Sequence, residues 1–91
     1  MKNIGPLCVV PFAHPQGCCG YLLADTVSKE ALALDPHLDW VHGMAERVKA
    51  EGWTLRYVAD THTHADHPSG AGELAARFNA VRMAHAEARH A

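Results

Sequence analysis

Three of the chain's eight histidines fall within six consecutive positions, in the run Asp60-Thr61-His62-Thr63-His64-Ala65-Asp66-His67-Pro68. Before this run, Leu55 to Ala59 reads as a buried β-strand. After it, Gly70 to Phe78 carries Leu74, Ala75 and Phe78 as the apolar stripe of a helix. Pro68 disfavours helical geometry at His67, so the cluster belongs to the loop between them and not to the helix. Such a loop lies at the carboxyl end of a strand, where layered α/β sheets build their sites. In extended backbone, alternate residues share a face, which sends His62, His64 and Asp66 to one side. Neutral imidazoles and a carboxylate are ligands that zinc and iron both accept. The competing explanation is a set of solvated loop histidines. It leaves the convergence of three polar side chains without a purpose.

The remaining pattern is that of a layered α/β chain. Leu7 to Phe12 is β-prone but holds Pro11, which fits an edge strand or a strand end. Pro15, Gly17 and Gly20 mark a turn. Cys18 to Ala24 and Ala31 to Leu34 read as two further strands, joined as a hairpin through the short polar stretch Asp25 to Glu30. Asp35-Pro36 ends the third strand. Val41, Met44, Ala45 and Val48 then form a helical stripe, with Gly52 placed to stop the helix. Asn79 is the stop expected for the second helix, and Val81 to Met83 fits one more short strand. The sequence therefore predicts a β-hairpin start followed by β-α-β-α-β.

Composition narrows the function classes. The chain of 91 residues has 8 Lys+Arg against 10 Asp+Glu, so it carries no basic field for nucleic acid. No run approaches the length of a membrane span. Cys8, Cys18 and Cys19 make an odd number with two adjacent, which suggests no disulfide framework. The apolar stretch from Leu7 to Ala13 is short, broken by Pro11 and without a small-residue cleavage pattern, a poor signal peptide. The expected setting is cytoplasmic.

The stretch THTHADHPSG resembles the metal-binding signature of the metallo-β-lactamase fold superfamily. The likeness extends back through GYLLAD (Gly20 to Asp25) and ALALDP (Ala31 to Pro36), and forward through AGELAARF (Ala71 to Phe78). The ADHPSG continuation and the GCCGYLLAD strand are most similar to the branch of persulfide dioxygenases and their rhodanese-linked relatives, with glyoxalase II hydrolases next. In dinuclear members, the resemblance implies that His62 and His64 bind one metal while Asp66 and His67 serve the second. Asp66 is thereby also the catalytic candidate. The chemistry implied is a metal-activated water attacking an ester, thioester or lactam carbonyl. In mononuclear iron members, the residue at the His62 position is a ligand and the rest of the motif orients it. The implied cofactor is one or two Zn2+ or a single Fe2+. The implied substrate is a small molecule, a thioester or a glutathione-type persulfide.

A complete fold of this family is an αββα sandwich of two similar halves, about 200 residues and within the ordinary domain range. Residues 1–91 are expected to be a single partial domain, the amino-terminal half of that sandwich. The further histidine and bridging aspartate that relatives supply downstream have no counterpart. His85 and His90 fall too early and are read as surface residues. About three protein ligands and an open position make a catalytic zinc site, so at most half a site is expected here. The functional expectation is the metal-binding portion of a hydrolase or dioxygenase, inactive unless completed. The alternatives are a non-catalytic module completed by a partner chain and a functionless fragment. In each case one sheet face is left apolar, which predicts self-association or a covering partner.

Lesser features have plainer readings. Cys18 and Cys19 are expected to be small core residues. Tyr21, Trp40, Trp53 and Tyr57 are expected in the core or in helix packing. His14, His37 and His42 are expected at the surface. Ser69-Gly70 is read either as an anion-holding helix start or as an ordinary cap.

Overall fold

The computed structural model describes residues 2–13, 15, 17, 19–60 and 70–84. Its strands are β1 (Lys2–Ile4), β2 (Leu7–Ala13), β3 (Cys19–Asp25), β4 (Glu30–Leu34), β5 (Thr54–Asp60) and β6 (Val81–Ala84). Two helices, α1 (Val41–Glu51) and α2 (Ala71–Phe78), join the later strands, and a 3₁₀ turn at Leu38–Trp40 leads into α1. All six strands form one sheet in the order β1-β2-β3-β4-β5-β6. The first four run antiparallel to their neighbours, while β4, β5 and β6 are parallel. This is the expected hairpin followed by β-α-β-α-β, with β1 added in front.

The hairpin between β3 and β4 is built by Asp25. Its Oδ1 accepts the amide hydrogen of Val27 at 2.8 Å, an Asx-type turn. The turn closes through Lys29, which takes a positive φ of 65°. Helix α1 is formed by the predicted stripe: Val41, Met44, Ala45 and Val48 are all buried. It ends at Gly52 in the left-handed conformation (φ 72°), where glycine carries no Cβ penalty. Asn79 ends α2 in the same conformation, at φ 54°.

Two expectations about strands need correction. β2 is not an edge strand, because β1 pairs with it through Leu7, Cys8 and Val9. That pairing stops short of Pro11, so the proline sits where the outer side of β2 has no neighbour and its missing N–H costs no ladder bond. Tyr21 and Tyr57 are not core residues; both are exposed on the sheet surface. Trp40 and Trp53 are buried as expected, whereas Cys19 is exposed and Cys18 lies outside the described residues.

The core lies on one face of the sheet. Cys8, Val10, Leu22, Ala24, Ala31, Ala33, Leu55 and Val58 point toward the two helices and pack with Met44, Val48 and Leu74 in one cluster. Leu22, Met44, Leu74, Val48 and Val58 are fully buried. The small residues Ala24, Ala31 and Ala33 let the helices settle close to the strands.

The opposite face bears no helix among the described residues. Residues paired across a sheet share a face, so the register writes two apolar rows there. One runs Val9, Leu23, Leu32, Tyr57, Val81 and the other Pro11, Tyr21, Leu34, Ala59, Met83. Within them Tyr57 is 43% exposed and Val81 56%.

Candidate functional site

His62, His64, Asp66 and His67 lie outside the described residues, as do His14, Ser69, His85 and His90. The structure does show where the motif-bearing segment leaves the fold and where it returns. β5 delivers the chain at Asp60, and α2 takes it up at Gly70. Parallel pairing sets Leu34 beside Ala59 and Asp60 beside Ala84, so the carboxyl ends of β4, β5 and β6 share one end of the sheet. The segment 61–69 starts from that end, where α/β sheets characteristically place their sites.

Both ends of the segment are pinned by the chain between β4 and α1. The Asp35 amide donates to the Ala59 carbonyl at 2.7 Å. The Gly70 amide donates to the Pro36 carbonyl at 2.9 Å. Glycine is required at position 70 by close approach: a Cβ there would lie 2.5 Å from Val41 Cγ2, 2.9 Å from the His37 carbonyl oxygen and 3.1 Å from Leu38 Cα. Gly70 is therefore the residue that caps α2, and it does so with no side-chain hydrogen bond. Gly20 allows a similar approach on the other side, where a Cβ would meet Trp40 and the Asp35 carbonyl oxygen.

His37 corrects another expectation. It is not a surface histidine but is buried, with 6% of its surface exposed. Its Nδ1 accepts the Asp39 amide hydrogen at 3.0 Å, and its ring lies against Trp40 with centroids 5.5 Å apart. An accepting Nδ1 places the proton of the neutral ring on Nε2. The histidine thus caps the 3₁₀ turn and fixes the segment that holds Gly70. His42, by contrast, is exposed as expected.

Asp60 is the second buried polar residue at this end, also 6% exposed. Arg82 of β6 reaches it, with Nη2 3.5 Å from Asp60 Oδ2. Removing a carboxylate from water is costly unless it is paired and hydrogen-bonded, so the ion pair makes the burial tolerable. Neither residue drew attention as part of the site from the sequence. The signal was parity: Asp60 falls two residues after the inward-facing Val58, an apolar position occupied by an acid. Among the described residues, no group of three or more His, Cys, Asp or Glu side chains is arranged to hold a metal.

Comparison with known proteins supplies the wider frame. The family model for the metallo-beta-lactamase superfamily matches residues 19–91. The persulfide dioxygenase ETHE1, mitochondrial, of Mus musculus is 40% identical over 70 residues, covering 76% of this chain and 28% of the relative. The hydroxyacylglutathione hydrolase of Nitrosococcus oceani is 38% identical over 69 residues, covering 76% and 26%. Among solved structures, ETHE1 from Myxococcus xanthus superposes with a TM-score of 0.77 at 30% identity, covering 82% of this chain and 34% of that one. A metallo-beta-lactamase from Staphylococcus aureus gives a TM-score of 0.80 at 27% identity, covering 91% and 25%. The chain thus spans about a quarter to a third of the proteins it matches, and its sheet and two helices correspond to part of their fold. Family model, relatives and fold agree, and the chain belongs to the metallo-beta-lactamase superfamily.

Proposed function

We propose that residues 1–91 form one partial domain that contributes the metal-binding motif of a metallo-β-lactamase-fold enzyme. The observation that carries this reading is the anchoring of segment 61–69. It starts at the carboxyl ends of three parallel strands and is fixed at both ends by buried residues, Asp60 and Gly70. The donor set His62, His64, Asp66 and His67 fits one or two Zn2+ or a single Fe2+ by its chemistry. Bound metal would supply a Lewis acid and an activated oxygen nucleophile or oxygen chemistry. The chain's own residues hold the segment in place: His37 and Pro36 at its return, Asp60 at its start. Asp66 is the catalytic candidate among the four.

Similarity to proteins called persulfide dioxygenase and hydroxyacylglutathione hydrolase supports a small sulfur-containing substrate, a persulfide or a thioester. On this reading catalysis needs a second layer over the open sheet face, and the 91-residue chain alone is inactive. A cytoplasmic setting belongs to the same proposal. Among the described residues, no helix is long and apolar enough to cross a membrane.

The two apolar rows favour a second reading, a non-catalytic metal-binding module whose open face is covered by a partner chain or a second copy. Native mass spectrometry with metal analysis separates these cases. A metal-bearing chain that turns over only when supplied with the missing layer supports the enzyme portion. A metal-bearing dimer or hetero-complex without turnover supports the module, and a metal-free monomer indicates a functionless fragment. In the same assay His62→Ala is expected to abolish metal retention while His85→Ala leaves it unchanged. Equal loss from both substitutions would mean that the downstream histidine ligates instead.

A further inference from the structure

The pairing register of β6 puts Arg82 beside Val58, on the helix-bearing face of the sheet. Arg82 is an unusual residue for that face, which otherwise carries the core. β6 is the last strand in the sheet order, and Arg82 remains 52% exposed on its side chain. From there its guanidinium makes two contacts that bear on the motif. Nη2 pairs with the buried carboxylate of Asp60, the residue immediately before segment 61–69. Nη1 lies over Gly72 in the first turn of α2, 3.2 Å from where a Cβ at that position would be. One side chain therefore touches the element that delivers the segment and the element that receives it.

Gly72 is otherwise hard to account for. Glycine inside a helix costs about 1 kcal/mol relative to alanine. Its lack of a side chain leaves the surface of α2 open where Arg82 crosses toward Asp60. An arginine suits this crossing because its planar fork presents donors in two directions, whereas a lysine offers a single point charge.

We propose that Arg82 is a positioning residue for the metal motif: by bridging Asp60 and the first turn of α2 it fixes the spacing between the two ends of segment 61–69. It acts through that spacing and touches no metal. This rests on the metal-binding reading above. Partners that orient metal ligands without binding the metal typically contribute 10- to 100-fold in affinity.

The test uses Co2+ as the probe, titrated into the full 91-residue chain and followed by its visible d–d absorption. Arg82→Met keeps the apolar stem over α2 and removes both donor contacts, and Arg82→Lys restores the charge. Arg56→Met is the control, since Arg56 pairs with Glu30 at 3.5 Å at the other end of the parallel strands. The expected result is a Co2+ affinity lowered about tenfold in Arg82→Met, partly recovered in Arg82→Lys and unchanged in Arg56→Met. Thermal melts should show Arg82→Met and Arg56→Met with similar folded fractions at the titration temperature. Equal Co2+ affinity in the parent chain and Arg82→Met overturns the proposal while leaving metal binding intact. An affinity loss matched by the same loss of folded protein also overturns it, because Arg82 would then be merely structural. A parent chain that develops no Co2+ spectrum sinks the metal-binding reading and the positioning role together.

Discussion

Replacing Gly70 by alanine tests the claim that the motif's return point is set by close packing. The backbone at Gly70 (φ −93°) is open to any residue, so the substitution adds a methyl group without forcing a left-handed conformation. That methyl would sit 2.5 Å from Val41 Cγ2 and 2.9 Å from the His37 carbonyl oxygen, closer than real Cβ atoms come. The valine methyl belongs to a buried side chain, and the oxygen belongs to backbone whose neighbour, the Pro36 carbonyl, is the acceptor of the Gly70 amide. Relief thus requires the turn at Leu38–Trp40 to move away from α2. Inserting a methyl into such packing costs about 1–3 kcal/mol. Restricting the unfolded chain returns about 0.4–1 kcal/mol. The net loss is about 1–2 kcal/mol, which for a domain of this size lowers Tm by roughly 5–15 °C. Far-UV circular dichroism during heating reads it directly. A Gly70→Ala protein that melts at or above the parent temperature would refute the packing argument, since the substitution would then have found room.

Three further outcomes check other parts of the structure. Gly72→Ala should raise stability by up to about 1 kcal/mol from helix propensity, because the atom it meets is the flexible end of Arg82; a lowered Tm in the same melts would show that the arginine cannot yield. Leu22→Ala removes a fully buried side chain between the strands and helices and should cost about 2–5 kcal/mol, read as a shifted urea midpoint, and a loss under 1 kcal/mol would contradict its place in the core. Leu23→Asp combined with Leu32→Asp places charges in the middle of one apolar row, so analytical ultracentrifugation should show less self-association than the parent; an unchanged profile would mean that this face does not mediate it.

Periodicity made α1 legible, because Val41, Met44, Ala45 and Val48 repeat at the spacing that one buried face demands. The hairpin after β3 was legible for a local reason as well, the turn chemistry of Asp25. β1 was not, since Lys2–Ile4 is three residues long and becomes a strand only by pairing with β2. His37 and the two tyrosines were misjudged for one shared reason. Burial of a polar residue or exposure of an aromatic depends on which layers are present, and chain-local pattern carries no record of that. The motif residues stood out through spacing alone. The residues that hold their segment did not: Asp60 and Arg82 are 22 positions apart, and the parallel register of β5 and β6 brings them together.

The sequential strand order has a kinetic meaning. Each strand lies beside the one made before it, so the sheet can grow in the direction of synthesis, with no strand waiting for a distant partner to be inserted between neighbours. Its longest closures are the two helical crossovers, and the meander β1 to β4 needs only short turns. A metal-motif segment bracketed by the last of these closures is assembled late. Ligand geometry is therefore imposed on a sheet that already exists, and metal uptake becomes a final step, separable from the pairing of the first four strands.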